Sequence, residues 1–165
     1  MVLFAHGLEG RPDGAKATAL RAAGLQVVAP DGRDRGLAER VADLERALAG
    51  HSDVVLVGSS YGGLAALVVA TRHAGSLRGL VLCAPALGWR EPPVDDPDAL
   101  CVPVGLACTI LHGSRDEILP VSGSQRLADR SGPHVRLAVV DDTHALRGSL
   151  PQLVAIVAEH LHAPR

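Results

Sequence analysis

The chain has 165 residues, a mass of 17.1 kDa, 47% hydrophobic residues and a formal net charge of −2, a size that suits one domain over 1–165. Its only aromatic residues are Phe4, Tyr61 and Trp89, too few for the stacking platforms of RNA or single-strand binders. The acidic balance lacks the basic surface that phosphate neutralisation needs, and no run is long enough to span a membrane, so neither nucleic acid nor membrane is an expected partner.

Six short apolar runs follow one another: Val2–Ala5, Gln26–Ala29, Asp53–Val57, Gly79–Cys83, Cys108–Leu111 and Val135–Val140. Val2–Ala5 and Gly79–Cys83 are apolar throughout and the others carry a single polar residue each, as strands covered largely on both faces do. Between them lie stretches with helical spacing, such as Leu37, Val41, Leu44 and Leu48, or Leu150, Leu153, Val154, Val157 and Leu161. The alternation predicts an α/β fold: a doubly wound parallel sheet with helices on both faces.

The first run leads into Phe4-Ala5-His6-Gly7-Leu8-Glu9-Gly10. Its glycines let the backbone turn its amides towards a site at the sheet edge, although a plain strand-end turn reads the same. Lys16 is the only lysine among sixteen basic residues, a coding bias towards arginine from which no ligand site is inferred. Met1 is followed by no positive segment, long apolar stretch or cleavage site, which predicts a cytoplasmic protein. Cys83, Cys101 and Cys108 lack metal or redox spacing and read as buried free thiols of a reducing compartment.

The third run opens into Gly58-Ser59-Ser60-Tyr61-Gly62-Gly63 and then the helical stretch Leu64–His73. This is G-x-S-x-G between a strand and a helix, the setting that projects a strained serine above a sheet. The register selects Ser60, because Ser59 would be flanked by Val57 and Tyr61 where glycine is needed. An ordinary turn with a serine helix cap is the competing reading.

A serine hydroxyl needs a base and a group to orient that base. His144 follows the last strand in Asp141-Asp142-Thr143-His144, at the same sheet edge as Ser60. Asp116 leaves the fifth strand, giving the order Ser60, Asp116, His144; Glu117, Asp141 and Asp142 compete for the acid role. The oxyanion of an attacked carbonyl needs two donors, assigned to the N–H groups of Tyr61 and Leu8. Glu159, His160 and His162 hint at a metal site, but a solvated terminal helix explains them better, and no metal or organic cofactor is implied. Pro85 to Gly105 is a long Pro- and Asp-rich loop, either a cover that makes Trp89 one wall of a substrate pocket or a surface connection. If the first and third runs carry complementary chemistry they should be neighbours, giving a six-stranded order 2-1-3-4-5-6.

His6-Gly7 with Pro12, Ala15, Lys16 and Ala17, the Gly58–Gly63 segment, Asp116-Glu117-Ile118-Leu119 and Thr143-His144-Ala145 together resemble the α/β-hydrolase superfamily. Within it they are most similar to small, cap-poor bacterial esterases of the YqiA-like kind. The resemblance implies hydrolysis of carboxylic esters by Ser60, His144 and Asp116, with Leu8 and Tyr61 as amide donors and a small-molecule ester or thioester as substrate. Thioester or amide cleavage, and a non-catalytic binding protein on the same fold, are the alternatives. The family sheet usually begins with two further strands and carries a cap; this chain starts at what would be the third strand. A homo-oligomer covering the exposed sheet edge is left open.

Overall fold

The computed structural model describes residues 1–163. Six strands, β1 (Val2–Ala5), β2 (Val27–Val28), β3 (Val54–Ser59), β4 (Leu77–Cys83), β5 (Cys108–Gly113) and β6 (Val135–Val140), form one sheet in the order 2-1-3-4-5-6. Every pairing is parallel, as the alternating pattern requires. The helices are α1 (Ala15–Ala22), α2 (Leu37–Leu48), α3 (Tyr61–His73), α4 (Val121–Ser131) and α5 (Leu150–His162). This is the α/β-hydrolase fold in a short form.

Aliphatic side chains build two cores, one on each face of the sheet. Leu3, Leu56, Leu80, Leu82 and Ile110 pack against α2 and α3, while Val2, Phe4, Val55, Val57 and Val81 meet Leu20 of α1 and Leu153 and Val157 of α5. The period-two alternation within each strand divides its residues between the two cores. Near the middle of the sheet all of Val54–Val57 is fully buried, which explains why these four positions of β3 are all apolar.

Differences from the sequence reading fall at boundaries. The second strand holds only Val27–Val28, because it is an edge with one partner and Pro30 soon follows without an N–H to donate. By contrast β3 runs on to Ser59, so the strand ends immediately before Ser60. Cys83 and Cys108 are buried free thiols, and burial pushes Cys83 up to about 11. Cys101 is only half-buried, since it lies in the loop before β5 and not in an apolar run. That loop contains one short 3-10 turn, Pro97–Ala99. No described helix is long and apolar enough to cross a membrane.

Candidate active site

Ser60 joins β3 to α3 in a backbone conformation, φ 54° and ψ −119°, that a residue with a side chain rarely adopts. The strain is sustained by its surroundings. Ser60 N–H donates to Cys83 O at 2.9 Å, and Ser60 O accepts from Gly63 N–H and Ala86 N–H at 2.9 and 3.0 Å. A Cβ at Gly58 would approach Gly62 O to 2.6 Å, and one at Gly62 would strike the carbonyl oxygens of Ala5 and His6. These contacts give the two glycines of the motif their physical reason.

His144 and Asp116 meet Ser60 in one hydrogen-bonded row. His144 Nε2 lies 3.1 Å from Ser60 Oγ and His144 Nδ1 lies 2.7 Å from Asp116 Oδ2. Burial by itself would raise the Asp116 carboxyl, but donors from Leu119 N–H, His144 and Ile118 N–H outweigh it and hold it below the ordinary 3.8. The Leu119 and Ile118 bonds to Asp116 Oδ1 measure 2.8 and 2.9 Å. The other carboxylates considered for this place are elsewhere: Asp141 pairs with Arg115 at 2.7 Å, and Glu117 is exposed. Asp142 accepts from Ser149 Oγ and Thr143 N–H at 2.8 and 2.7 Å, which braces the loop that carries His144.

Sequence reasoning did not single out His112, which is buried beneath Asp116. Its Nε2 donates to Leu119 O at 2.9 Å and its Nδ1 accepts from Ser124 Oγ at 2.7 Å. Nε2 also comes within 3.1 Å of Asp116 Oδ2, without hydrogen-bond alignment. Position i, i+4 to Asp116 across a strand end was the only available signal, and it carries little weight in a strand.

The loop after β1 is held from behind. Gly7 packs against Ser60, where a Cβ would come within 3.3 Å of Ser60 Cβ. Gly7 O accepts from His6 Nδ1 at 2.8 Å and from Gly10 N–H at 3.0 Å. His6 Nε2 accepts from Gly32 N–H at 3.0 Å, so the ring is neutral with its proton on Nδ1, and burial lowers its pKa from the ordinary 6.5. Arg40, buried on α2, donates to His6 O at 2.8 Å and approaches Gly7 O and Leu8 O at 3.4 and 3.5 Å. In a trans peptide the N–H points opposite to the C=O. Holding Gly7 O from behind therefore turns Leu8 N–H the other way.

Arg40 also lies 5.0 Å from the centre of the Tyr61 ring. Tyr61 donates its hydroxyl to Glu91 Oε2 at 2.6 Å, and Glu91 Oε1 accepts Leu37 N–H at 3.0 Å. Trp89 meets Tyr61 edge to face at 5.6 Å. Glu91 thus ties the long loop to α2 and α3. Neither Arg40 nor Glu91 was singled out from sequence, because their partners lie tens of residues away.

A cleft of about 520 Å³ opens over Ser60 and His144; Leu8, Tyr61, Trp89 and Lys16 are among its lining residues. All the proposed site residues except the buried Asp116 line it. Lys16, from which no ligand site was inferred, lies in the cleft and donates from Nζ to Ala145 O at 2.7 Å. Among the described residues the terminal histidines join no metal-ligand cluster; His160 is buried with Nε2 3.0 Å from Thr109 Oγ1, and Glu159 pairs with Arg136.

A family model described as serine aminopeptidase, S33, matches residues 1–104. No curated protein matches the chain in sequence. Among solved structures, a protein described as a hydrolase of the alpha/beta superfamily from Xanthomonas campestris is 27% identical, covering 97% of this chain and 95% of that one with a TM-score of 0.79. The Paleococcus ferrophilus monoacylglycerol lipase is 17% identical, with 96% and 94% covered and a TM-score of 0.76. A pyrethroid hydrolase from Sphingobium faniae is 18% identical, with 99% and 97% covered and a TM-score of 0.72. The last two likenesses are likenesses of fold.

Proposed function

The chain belongs to the serine aminopeptidase S33 family of hydrolases, and from that premise we propose that it is a serine hydrolase cleaving small or medium acyl carboxylic esters through an acyl-enzyme. The observation that carries this reading is the row Asp116–His144–Ser60, at 2.7 and 3.1 Å, on a strained strand-to-helix turn. Ser60 Oγ attacks the ester carbonyl while His144 Nε2 takes its proton. Asp116 holds the proton on Nδ1 and stabilises the imidazolium that forms. The oxyanion is received by Tyr61 N–H, at the positive end of α3, and by Leu8 N–H. As the tetrahedral species collapses, His144 gives its proton to the departing alcohol and Ser60 keeps the acyl group. Water then attacks the acyl carbon, His144 again takes a proton, and the acid leaves with Ser60 restored.

Esters are favoured over the α-amino substrates of an aminopeptidase by the charge of the cleft. A free α-ammonium group would meet Lys16 and Arg147 with only the Glu9 carboxylate among the lining residues. The lipase that shares the fold is named for an ester substrate. We expect Trp89 to form part of the pocket that receives the acyl chain, and the site to need no cofactor and to work in the cytoplasm on a small-molecule ester. The test is steady-state turnover of 4-nitrophenyl esters. Ser60→Ala should lower kcat by on the order of 10⁴-fold or more; a variant with wild-type turnover overturns the assignment.

A further inference from the structure

Two spaces meet beside Ser60, and a set of large apolar side chains lines only one of them. Leu8, Tyr61, Ala86, Trp89, Ile118 and Leu119 line the part over Ser60, and Leu8, Trp89 and Ile118 remain substantially exposed there. The cleft continues into a hollow of about 280 Å³ that shares Glu9, Lys16, Ser59, Ala145 and Arg147 with it, among others, and none of those six apolar residues reaches the hollow.

The cations at this end are unspent. Arg33, Arg115 and Arg136 each hold a carboxylate, at 2.6, 2.7 and 2.7 Å. Among the described residues, Lys16 and Arg147 are paired with no carboxylate. Lys16 uses one of its three donors on Ala145 O, which fixes the ammonium beside the residue that follows His144 and leaves two donors free. Arg147, exposed three residues beyond His144, keeps its whole guanidinium. Arg11 reaches the hollow too, but it is paired with Asp13 at 3.2 Å. Among the described residues Glu9 is the only carboxylate in the lining, and it borders both spaces.

Resting on the ester-hydrolase reading, we propose that the preferred substrate is an amphiphilic ester bearing a carboxylate, which sits between Lys16 and Arg147 while the apolar end lies against Trp89 and Ile118. Two cations against Glu9 leave one net positive charge, which a single carboxylate balances and a phosphate dianion exceeds. A carboxylate also fits the planar fork of an arginine.

Two matched pairs of esters test this and distinguish where the charge sits. With charge on the alcohol side, 3-(butyryloxy)benzoate is compared with 3-(butyryloxy)benzamide. With charge on the acyl side, the mono-4-nitrophenyl ester of octanedioic acid is compared with 4-nitrophenyl octanoate. In at least one pair the anionic ester should show a kcat/KM about three- to ten-fold higher at low ionic strength, falling towards parity by about 0.5 M salt. Arg147→Glu should invert that ratio. A ratio of one or less in both pairs for the wild type, or a ratio unmoved by Arg147→Glu, overturns the proposal. Turnover of the neutral esters with no charge preference would sink this inference alone, whereas absence of turnover for all four would sink the ester-hydrolase reading itself.

Discussion

On one side of Ser60 the proposed chemistry belongs to side chains, His144 and Asp116; on the other it belongs to main-chain N–H groups of Leu8 and Tyr61. The first side is fixed by direct bonds, with Asp116 taking two backbone donors and His144 in one carboxylate. The second is fixed indirectly, by His6 and Arg40 gripping the carbonyls of the loop from behind. A side chain can be aimed by what it touches. A backbone amide can be aimed only by restraining the opposite end of its peptide, so residues that never meet substrate come to govern it.

Breaking the side-chain half should cost most. Asp116→Asn keeps the shape but no longer fixes the proton on His144 Nδ1, and kcat should fall by about 10³- to 10⁴-fold with KM little changed. Breaking the main-chain half from behind should cost less but leave the same kinetic signature. Arg40→Leu is expected to lower kcat by about 10- to 100-fold with a smaller change in KM, because an oxyanion donor contributes mainly in the transition state. Arg40→Lys should recover part of that loss, while a melting curve establishes that each variant is folded; a pure rise in KM would contradict the positioning role.

Acid should weaken the second side through His6. Its pKa is depressed in the folded protein, so the unfolded chain binds more protons just below pH 6.5. The His6 contribution is complete above 6.5 and declines as pH falls through that value towards the folded one. Tm should drop over this range, and the slope should be shallower in His6→Asn; an unchanged slope would remove His6 from the account. Asp116, depressed below 3.8, adds stability that is lost only in stronger acid. The smallest effect is expected at Trp89, 46% exposed at the edge of the cleft. Trp89→Ala should shift the preferred acyl length, by about two- to five-fold in relative kcat/KM across a chain-length series; an identical profile would reduce the loop to a connection.

The same division decides what could be read without coordinates. The strand order followed from apolar runs and the need to bring the first and third together, and Ser60 followed from glycines whose lack of a Cβ leaves room for the carbonyls of Ala5, His6 and Gly62. Asp116 and His144 were legible because each follows its own strand end. Arg40 and Glu91 were not, since a basic residue on a helix and an acidic one in a loop look like solvated charges until α2 is packed beside the loop after β1. Lys16 was discounted for a compositional reason, yet its partner, Ala145 O, is 129 residues away. The two-residue β2 was overdrawn because hydrophobic runs do not register that an edge strand has one neighbour.

The central claim is that His144 activates Ser60, and covalent capture tests it most directly. The folded wild-type protein is incubated with a fluorophosphonate and the modified peptide is located by mass spectrometry. Stoichiometric labelling at Ser60, with a rate reduced by on the order of 10³-fold or more in His144→Ala, is the predicted result. Labelling at another residue, no labelling of the folded wild type, or equal rates in the two proteins would contradict it.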